Sequence, residues 1–169
     1  LDAKREQCAR SFSAAKRKIL VCSGTGCIAA GSHAVYEAFL AQLEEMGLAC
    51  AVELQKDPHQ DVIGVKQSGC HGLCSMGPLV RIEPEGYLYM KVSPEDCREI
   101  IETTVLGGEP VERLAYKKNG VVYAKQESIP FYLKQQRIML KHCGHIDATQ
   151  IDEYLAVGGY KAFEKVLFS

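Results

Sequence analysis

Eight cysteines are spread along the 169 residues, and four of them form two close pairs, Cys22-x4-Cys27 and Cys70-x3-Cys74. Thiolates are soft ligands, and four of them are enough to hold a [2Fe-2S] cluster, two to each iron, with backbone amides donating to the sulfur atoms. Glycine favours this chemistry because it permits close backbone approach and leaves N–H groups bare; Gly24, Gly26, Gly69, Gly72 and Gly77 crowd the two segments. Ser23, Thr25, Ser68 and Ser75 are expected to add hydroxyl donors. A structural zinc site also uses four cysteines, but its paired ligands usually stand two residues apart, a gap missing here. The same lack of C-x-x-C argues against a thioredoxin-type dithiol catalyst. Four thiolates saturate two irons and leave no open coordination position, so the constellation specifies a one-electron carrier, with catalysis elsewhere. Cys8, Cys50, Cys97 and Cys143 lack metal-like pairing and are read as packing residues; His71 is read as a solvated loop histidine without a function.

Bulk properties narrow the setting. Twenty basic and 21 acidic residues leave a net charge of -1 with no block of one sign, which argues against nucleic acid and anionic membranes as partners. No apolar run is long enough to span a bilayer, and residues 1–18 are charged rather than signal-like, so the sequence reads as cytoplasmic. In that compartment, paired cysteines favour metal over disulfides. Leu1 is not a natural start, so residues of a longer chain are expected before it.

Local patterns show what must position the cysteines. Residues 1–17 read as a surface helix or loose lead-in, and Lys18–Cys22 as a short buried strand ended by Ser23-Gly24. Tyr36, Phe39, Leu40 and Leu43 fall on one face of a helix over Ser32–Met46 that Gly47 terminates. Strands are expected at Ala51–Leu54 and Val62–Gln67, with a right-handed crossover between strands. Leu79–Glu83 and Tyr87–Val92 form a hairpin about Pro84-Glu85-Gly86. Ser93-Pro94-Glu95-Asp96 starts a helix whose buried face is Cys97, Ile100, Ile101 and Val105. The expected class is α/β, with one sheet-and-helix domain over 18–106 and a hairpin linker over 107–128 that turns at Asn119-Gly120. A helical segment over 129–169 follows, with helices at Pro130–His142 and, behind an Asp147/Gln150 capping box, up to Val157; Tyr160, Phe163 and Leu167 continue at helical spacing.

Cys22-Ser-Gly-Thr-Gly-Cys27 and Ser68-Gly-Cys70-His-Gly-Leu-Cys74-Ser-Met-Gly-Pro78 resemble the thioredoxin-like [2Fe-2S] ferredoxin family. Ile129-Pro-Phe-Tyr132, Gln135-Gln-Arg137, Cys143-Gly144, Glu153-Tyr154 and Gly158-Gly-Tyr160 resemble the start of the flavin-binding subunit of complex I-type NADH dehydrogenases. The combination is similar to the diaphorase subunit of soluble NAD(P)-linked and electron-bifurcating hydrogenases and of related formate dehydrogenases. That resemblance implies FMN, NAD(P)H and further iron-sulfur or flavin subunits as partners, and a cluster on Cys22, Cys27, Cys70 and Cys74. It also implies a glycine-rich FMN loop, a nucleotide site and a later cysteine cluster, none of which the sequence contains, so a longer protein is expected. Tyr132, Leu133, Ile138, Tyr154, Leu155, Tyr160, Phe163, Val166 and Phe168 offer more apolar surface than short helices bury among themselves, so another surface should cover them. The alternative there is a self-contained helical appendage. For the whole chain, the rival class is a structural or docking module with a zinc or vestigial site.

Overall fold

The computed structural model describes residues 1–14, 17–54 and 62–168. Helix α1 (Asp2–Ala14) leads into β1 (Arg17–Cys22), a short helix α2 (Thr25–Ala29) and the long α3 (Ser32–Glu45). Strands β2 (Cys50–Ala51), β3 (Ile63–Ser68), β4 (Val80–Glu83) and β5 (Tyr87–Tyr89) complete a five-stranded sheet in the order β2-β3-β1-β4-β5. β1 runs parallel to β3, with Ile19 opposite Val65 and Cys22 opposite Ser68, and antiparallel to β4, with Val21 opposite Val80. The parallel register makes the loops leaving β1 and β3 depart from the same end of the sheet, which brings the two cysteine pairs together.

Side chains alternate across the strands, as the pleat requires. Ile19, Val21, Val65, Val80, Ile82 and Tyr89 enter one core with Val35, Phe39 and Leu43 of α3. The same core takes Cys97 and Ile100 of α4 (Cys97–Ile100) and Ile101 and Val105 of the π-helical turn Ile101–Leu106 that prolongs it. The predicted cap is present: the Ser93 amide and hydroxyl both donate to Asp96 Oδ2 at 2.8 Å. All four residues expected on the buried face of this helix are buried. Tyr36, Phe39 and Leu43 of α3 are buried too, while Leu40 packs at the edge.

The opposite face is mixed. Cys22, Cys27, Leu79, Leu88 and Met90 cluster with Ile129 and Tyr132. Lys66 and Arg81, which flank Leu20 in the sheet register, are buried there as well. The C-terminal part of the chain holds the hairpin β6 (Tyr116–Lys118) and β7 (Val121–Tyr123), α5 (Pro130–Leu133), α6 (Ile151–Ala156) and the exposed α7 (Lys161–Phe168), and Ile129, Tyr132 and Glu153 reach this face from it. Asn119 and Gly120 at the hairpin turn have φ of 51° and 78°, the left-handed pair that such a tight turn demands. Helix α1 packs against α6, where Lys4 pairs with Asp152, and its buried Arg5 pairs with Glu164 of α7.

Several local expectations are corrected. The expected strand Ala51–Leu54 reduces to Cys50–Ala51, paired with Ile63 and Gly64; part of the segment that follows, 55–61, lies outside the described residues. The helix expected over Pro130–His142 stops at Leu133. Beyond it Ile138, Met139 and Leu140 are exposed, so no buried face sustains the helix, and a short helix without one is marginal in water. The Asp147/Gln150 capping box does not form. Asp147 Oδ1 instead accepts from Thr149, while the Asp147 amide donates to Glu153 Oε2 at 2.7 Å.

Candidate metal centre

The loop after β1 turns at once into α2, whose first residues carry Cys27 back toward Cys22 at the strand end. Both side chains are buried. The loop after β3 carries Cys70 and Cys74, the latter opening a short 3-10 turn over Cys74–Met76. Cys70 is half-buried and Cys74 exposed, so the second pair forms the outer edge of the site. Cys70 Sγ and Cys74 Sγ lie 3.8 Å apart. The parallel pairing of β1 and β3 places Cys22 and the loop of Cys70 and Cys74 at the same end of the sheet. No disulfide joins any of the eight cysteines.

Backbone donors surround these sulfurs. The Gly72 amide donates to Cys70 Sγ at 3.3 Å, and the nearby Gly24 and His71 amides favour a charged Cys22. Donation from the Cys27 thiol, helped by the Cys70 thiol and the two amides, holds Cys22 down at about 6 against the burial that opposes its charge. The same contact, together with burial, pushes Cys27 up, and burial raises Cys70. A lowered Cys22 favours its thiolate, the form that binds metal.

Glycine supplies the room. A Cβ at Gly24 would stand 3.0 Å from Cys70 Cβ and 3.1 Å from its sulfur, and one at Gly77 would stand 2.8 Å from Cys27 Sγ. A Cβ at Gly26 would approach Cys74 Cβ to 3.1 Å. Gly69 differs from the expectation, since its amide donates to the Ile146 carbonyl rather than to sulfur. The hydroxyls differ too: Ser68 Oγ bonds the His71 ring and the Val21 carbonyl, and Ser23 Oγ donates to Gln67.

His71 is the largest departure at the site. It is 2% exposed rather than solvated, with Nε2 3.0 Å from Ser68 Oγ and Nδ1 facing Gly144, where a Cβ would sit only 2.7 Å away. Gly144 adopts φ of 84°, so both its space and its backbone conformation suit glycine. Burial, then the positive charge of Arg81, pushes the imidazole down to about 3, and it stays neutral. The packing role expected of the other cysteines holds for Cys8 and Cys97, which are buried; Cys50 is exposed and Cys143 half-buried.

Tyr132 is the residue that sequence reasoning missed. Its buried hydroxyl donates to the His71 carbonyl at 3.0 Å, reaching the cysteine loop from 61 residues away. The motif Ile129-Pro-Phe-Tyr132 marks the segment but carries no sign of that contact.

A mixed five-stranded sheet with helices, bearing two glycine-rich cysteine loops at one end, defines the class: an iron-sulfur protein on a thioredoxin-like fold. The profile described as thioredoxin-like [2Fe-2S] ferredoxin matches residues 11–105, over half of the chain, and the chain belongs to that family. It is 39% identical over 93 residues to a 2Fe-2S ferredoxin of Aquifex aeolicus (strain VF5), covering 54% of this chain and 74% of that protein. To a 2Fe-2S ferredoxin of Clostridium pasteurianum it is 34% identical over 88 residues, covering 52% and 76%. Among solved structures, the wild-type thioredoxin-like [2Fe-2S] ferredoxin from Aquifex aeolicus is 32% identical with a TM-score of 0.45, covering 62% of this chain and 99% of that one. An air-oxidized NAD+-reducing [NiFe]-hydrogenase is 17% identical with a TM-score of 0.46, covering 66% of this chain and 20% of that one. No described helix is long and apolar enough to cross a membrane.

Proposed function

We propose that Cys22, Cys27, Cys70 and Cys74 hold a [2Fe-2S] cluster and that the chain carries single electrons within an NAD(P)H-linked flavin iron-sulfur oxidoreductase, as its diaphorase portion. The observation that carries the first part is the placement of the two cysteine pairs at one end of the sheet, with Cys70 Sγ and Cys74 Sγ 3.8 Å apart and glycines where an added Cβ would crowd Cys27, Cys70 and Cys74. The donor set fits the group: two thiols from each pair, with the Gly72 amide directed at Cys70. When bound, the cluster supplies one reversibly transferred electron. The chain's part is to present four sulfurs, bury the inner pair and leave Cys70 and Cys74 toward the surface, the side from which a partner approaches.

The motifs between Ile129 and Tyr160 support the second part, as does the exposed apolar run on α7, where Val166 is 81% and Phe168 83% exposed. On this reading residues 18–106 are the cluster-bearing unit and 129–169 the side facing a flavin module that holds FMN and receives NAD(P)H. Anaerobic purification tests the first part. The expected product is coloured, contains iron and sulfide at about two of each per chain, bleaches with dithionite and gains an electron paramagnetic resonance signal. A colourless protein retaining zinc rejects it in favour of a structural or docking role. In the assembled oxidoreductase, Cys70→Ser should abolish NAD(P)H-driven electron delivery; undiminished delivery with the complex intact defeats the carrier reading.

A further inference from the structure

We infer that Tyr132 is a positioning residue for the cluster, its hydroxyl holding the His71–Gly72 peptide so that the Gly72 amide stays aimed at Cys70 Sγ. The inference rests on the ligand set proposed above. A peptide unit is planar, so fixing its oxygen fixes the direction of its N–H. Here one unit is engaged from both sides: Tyr132 Oη donates to the His71 oxygen at 3.0 Å, and the Gly72 nitrogen of the same plane donates to Cys70 Sγ at 3.3 Å. Gly72 has φ of 88°, in the left-handed region, so this orientation is one of several open to a glycine and needs a restraint.

The restraint is stiff. Tyr132 is buried and follows Pro130 at the start of α5. The Phe131 ring meets its ring edge-on at 5.1 Å between centroids, and the Arg137 guanidinium lies 5.6 Å over it. On the other flank, the His71 ring is tied to Ser68. Donation into a carbonyl also polarises the N–H of the same peptide, which strengthens its bond to sulfur. That bond is worth more when the sulfur is more negative, as it is after the protein accepts an electron. Tyr132 therefore favours the reduced form, from a position outside residues 11–105 that carry the family match.

The test compares wild type, Tyr132→Phe and Tyr89→Phe, all loaded anaerobically and titrated with dithionite at neutral pH. Tyr89→Phe is the control, because its hydroxyl bonds Thr104 and the Val111 amide and none of Cys22, Cys27, Cys70 and Cys74. Tyr132→Phe should disfavour reduction about threefold, which is about 30 mV at ~59 mV per decade for a one-electron couple. Tyr89→Phe should leave the potential unmoved. An unshifted or raised potential in Tyr132→Phe, or a shift of the same size in Tyr89→Phe, overturns the inference. Should Tyr132→Phe fail to load, 3-fluorotyrosine placed at position 132 keeps the packing and strengthens the donor. The potential then rises, and an unchanged value overturns the inference equally. Wild type without a [2Fe-2S] cluster defeats the ligand assignment instead, so the two failures are distinguishable.

Discussion

The two faces of the central sheet are covered by different means. On one, Val35, Phe39 and Leu43 of α3 and Ile100, Ile101 and Val105 press on Ile19, Val21, Val65 and Ile82 in a cluster that is apolar apart from such hydroxyls as that of Tyr89, bonded to Thr104. On the other, the same strands present Lys66 and Arg81 beside Leu20, and matching charges come from the cover (Glu153 and Glu127) and from β4 itself (Glu83). Lys66 Nζ meets Glu153 at 2.9 Å, and Arg81 meets Glu83 at 2.8 Å and Glu127 at 2.9 Å. Apolar contact is non-directional, so the first face tolerates small shifts of its helices. Buried charge is less forgiving, because an ion that loses its partner keeps the full cost of leaving water. The second face is therefore a lock: it binds the segment after the hairpin in one arrangement, the one that delivers Tyr132 to the cysteine loop.

Truncation on the apolar face should have the largest effect. Phe39→Ala removes a fully buried ring and should lower unfolding free energy by about 3–5 kcal/mol in a urea titration. A loss under ~1 kcal/mol would show that α3 is not the main cover of that face. Next comes the lock. Glu153→Ala leaves the Lys66 ammonium buried and unpaired and should cost about 3 kcal/mol. Replacing both residues with Lys66→Met and Glu153→Leu should return most of that stability, since a buried pair often does no better than apolar side chains of similar size. A double variant as unstable as the single one would mean that the charges contribute net stability, and the contrast between the faces would weaken.

Acid should act on the polar face by a smaller amount. Burial opposes the charge of Glu83, but hydrogen bonds from His145 and Arg81 outweigh it and hold the carboxyl at about 2, below its ordinary 4.5. Its folded-state value is depressed, so its contribution is whole above pH 4.5 and is lost as pH falls through about 2. The loss should be on the order of 2 kcal/mol, allowing for partial exposure. Wild type minus Glu83→Gln in urea midpoints should shrink across that interval; a constant difference rules the contribution out. The smallest expected effect returns to the apolar face. Tyr89→Phe removes a hydroxyl that bonds Thr104 at 2.6 Å and accepts from the Val111 amide at 3.0 Å, and should cost about 1 kcal/mol by the same titration. A cost like that of Glu153→Ala would place a second lock inside the apolar core.

How much was legible follows the range of each interaction. The hairpin at Pro84-Glu85-Gly86, the Ser93/Asp96 cap and the left-handed Asn119-Gly120 turn depend on residues within a few positions, and all three form. The α3 face was readable because one helix spaces its own apolar residues. Reading failed where the deciding partner is distant. Pro130–His142 carries a helical pattern, yet only its first turn meets a surface, so the pattern ends at Leu133. His71 looks like any loop histidine until Gly144, 73 positions on, closes over its ring. Asp147 pairs with Glu153 rather than Gln150, because Glu153 is already drawn inward by Lys66.

Composition and spacing alone determined that two cysteine pairs would sit among glycines near strand ends, since thiol chemistry and glycine's freedom are properties of the residues themselves, though Cys22 ends β1 itself and Cys27 lies on α2 rather than on a loop. They also determined the alternation that sorts the strands into a sheet. Only the tertiary structure decided that β1 and β3 bring the two cysteine pairs to one end of the sheet, that Lys66 and Glu153 neutralise each other and that Tyr132 reaches the His71 carbonyl. Each of these links joins residues tens of positions apart. Such partners are chosen by how whole elements pack, and no local preference along the chain encodes that choice.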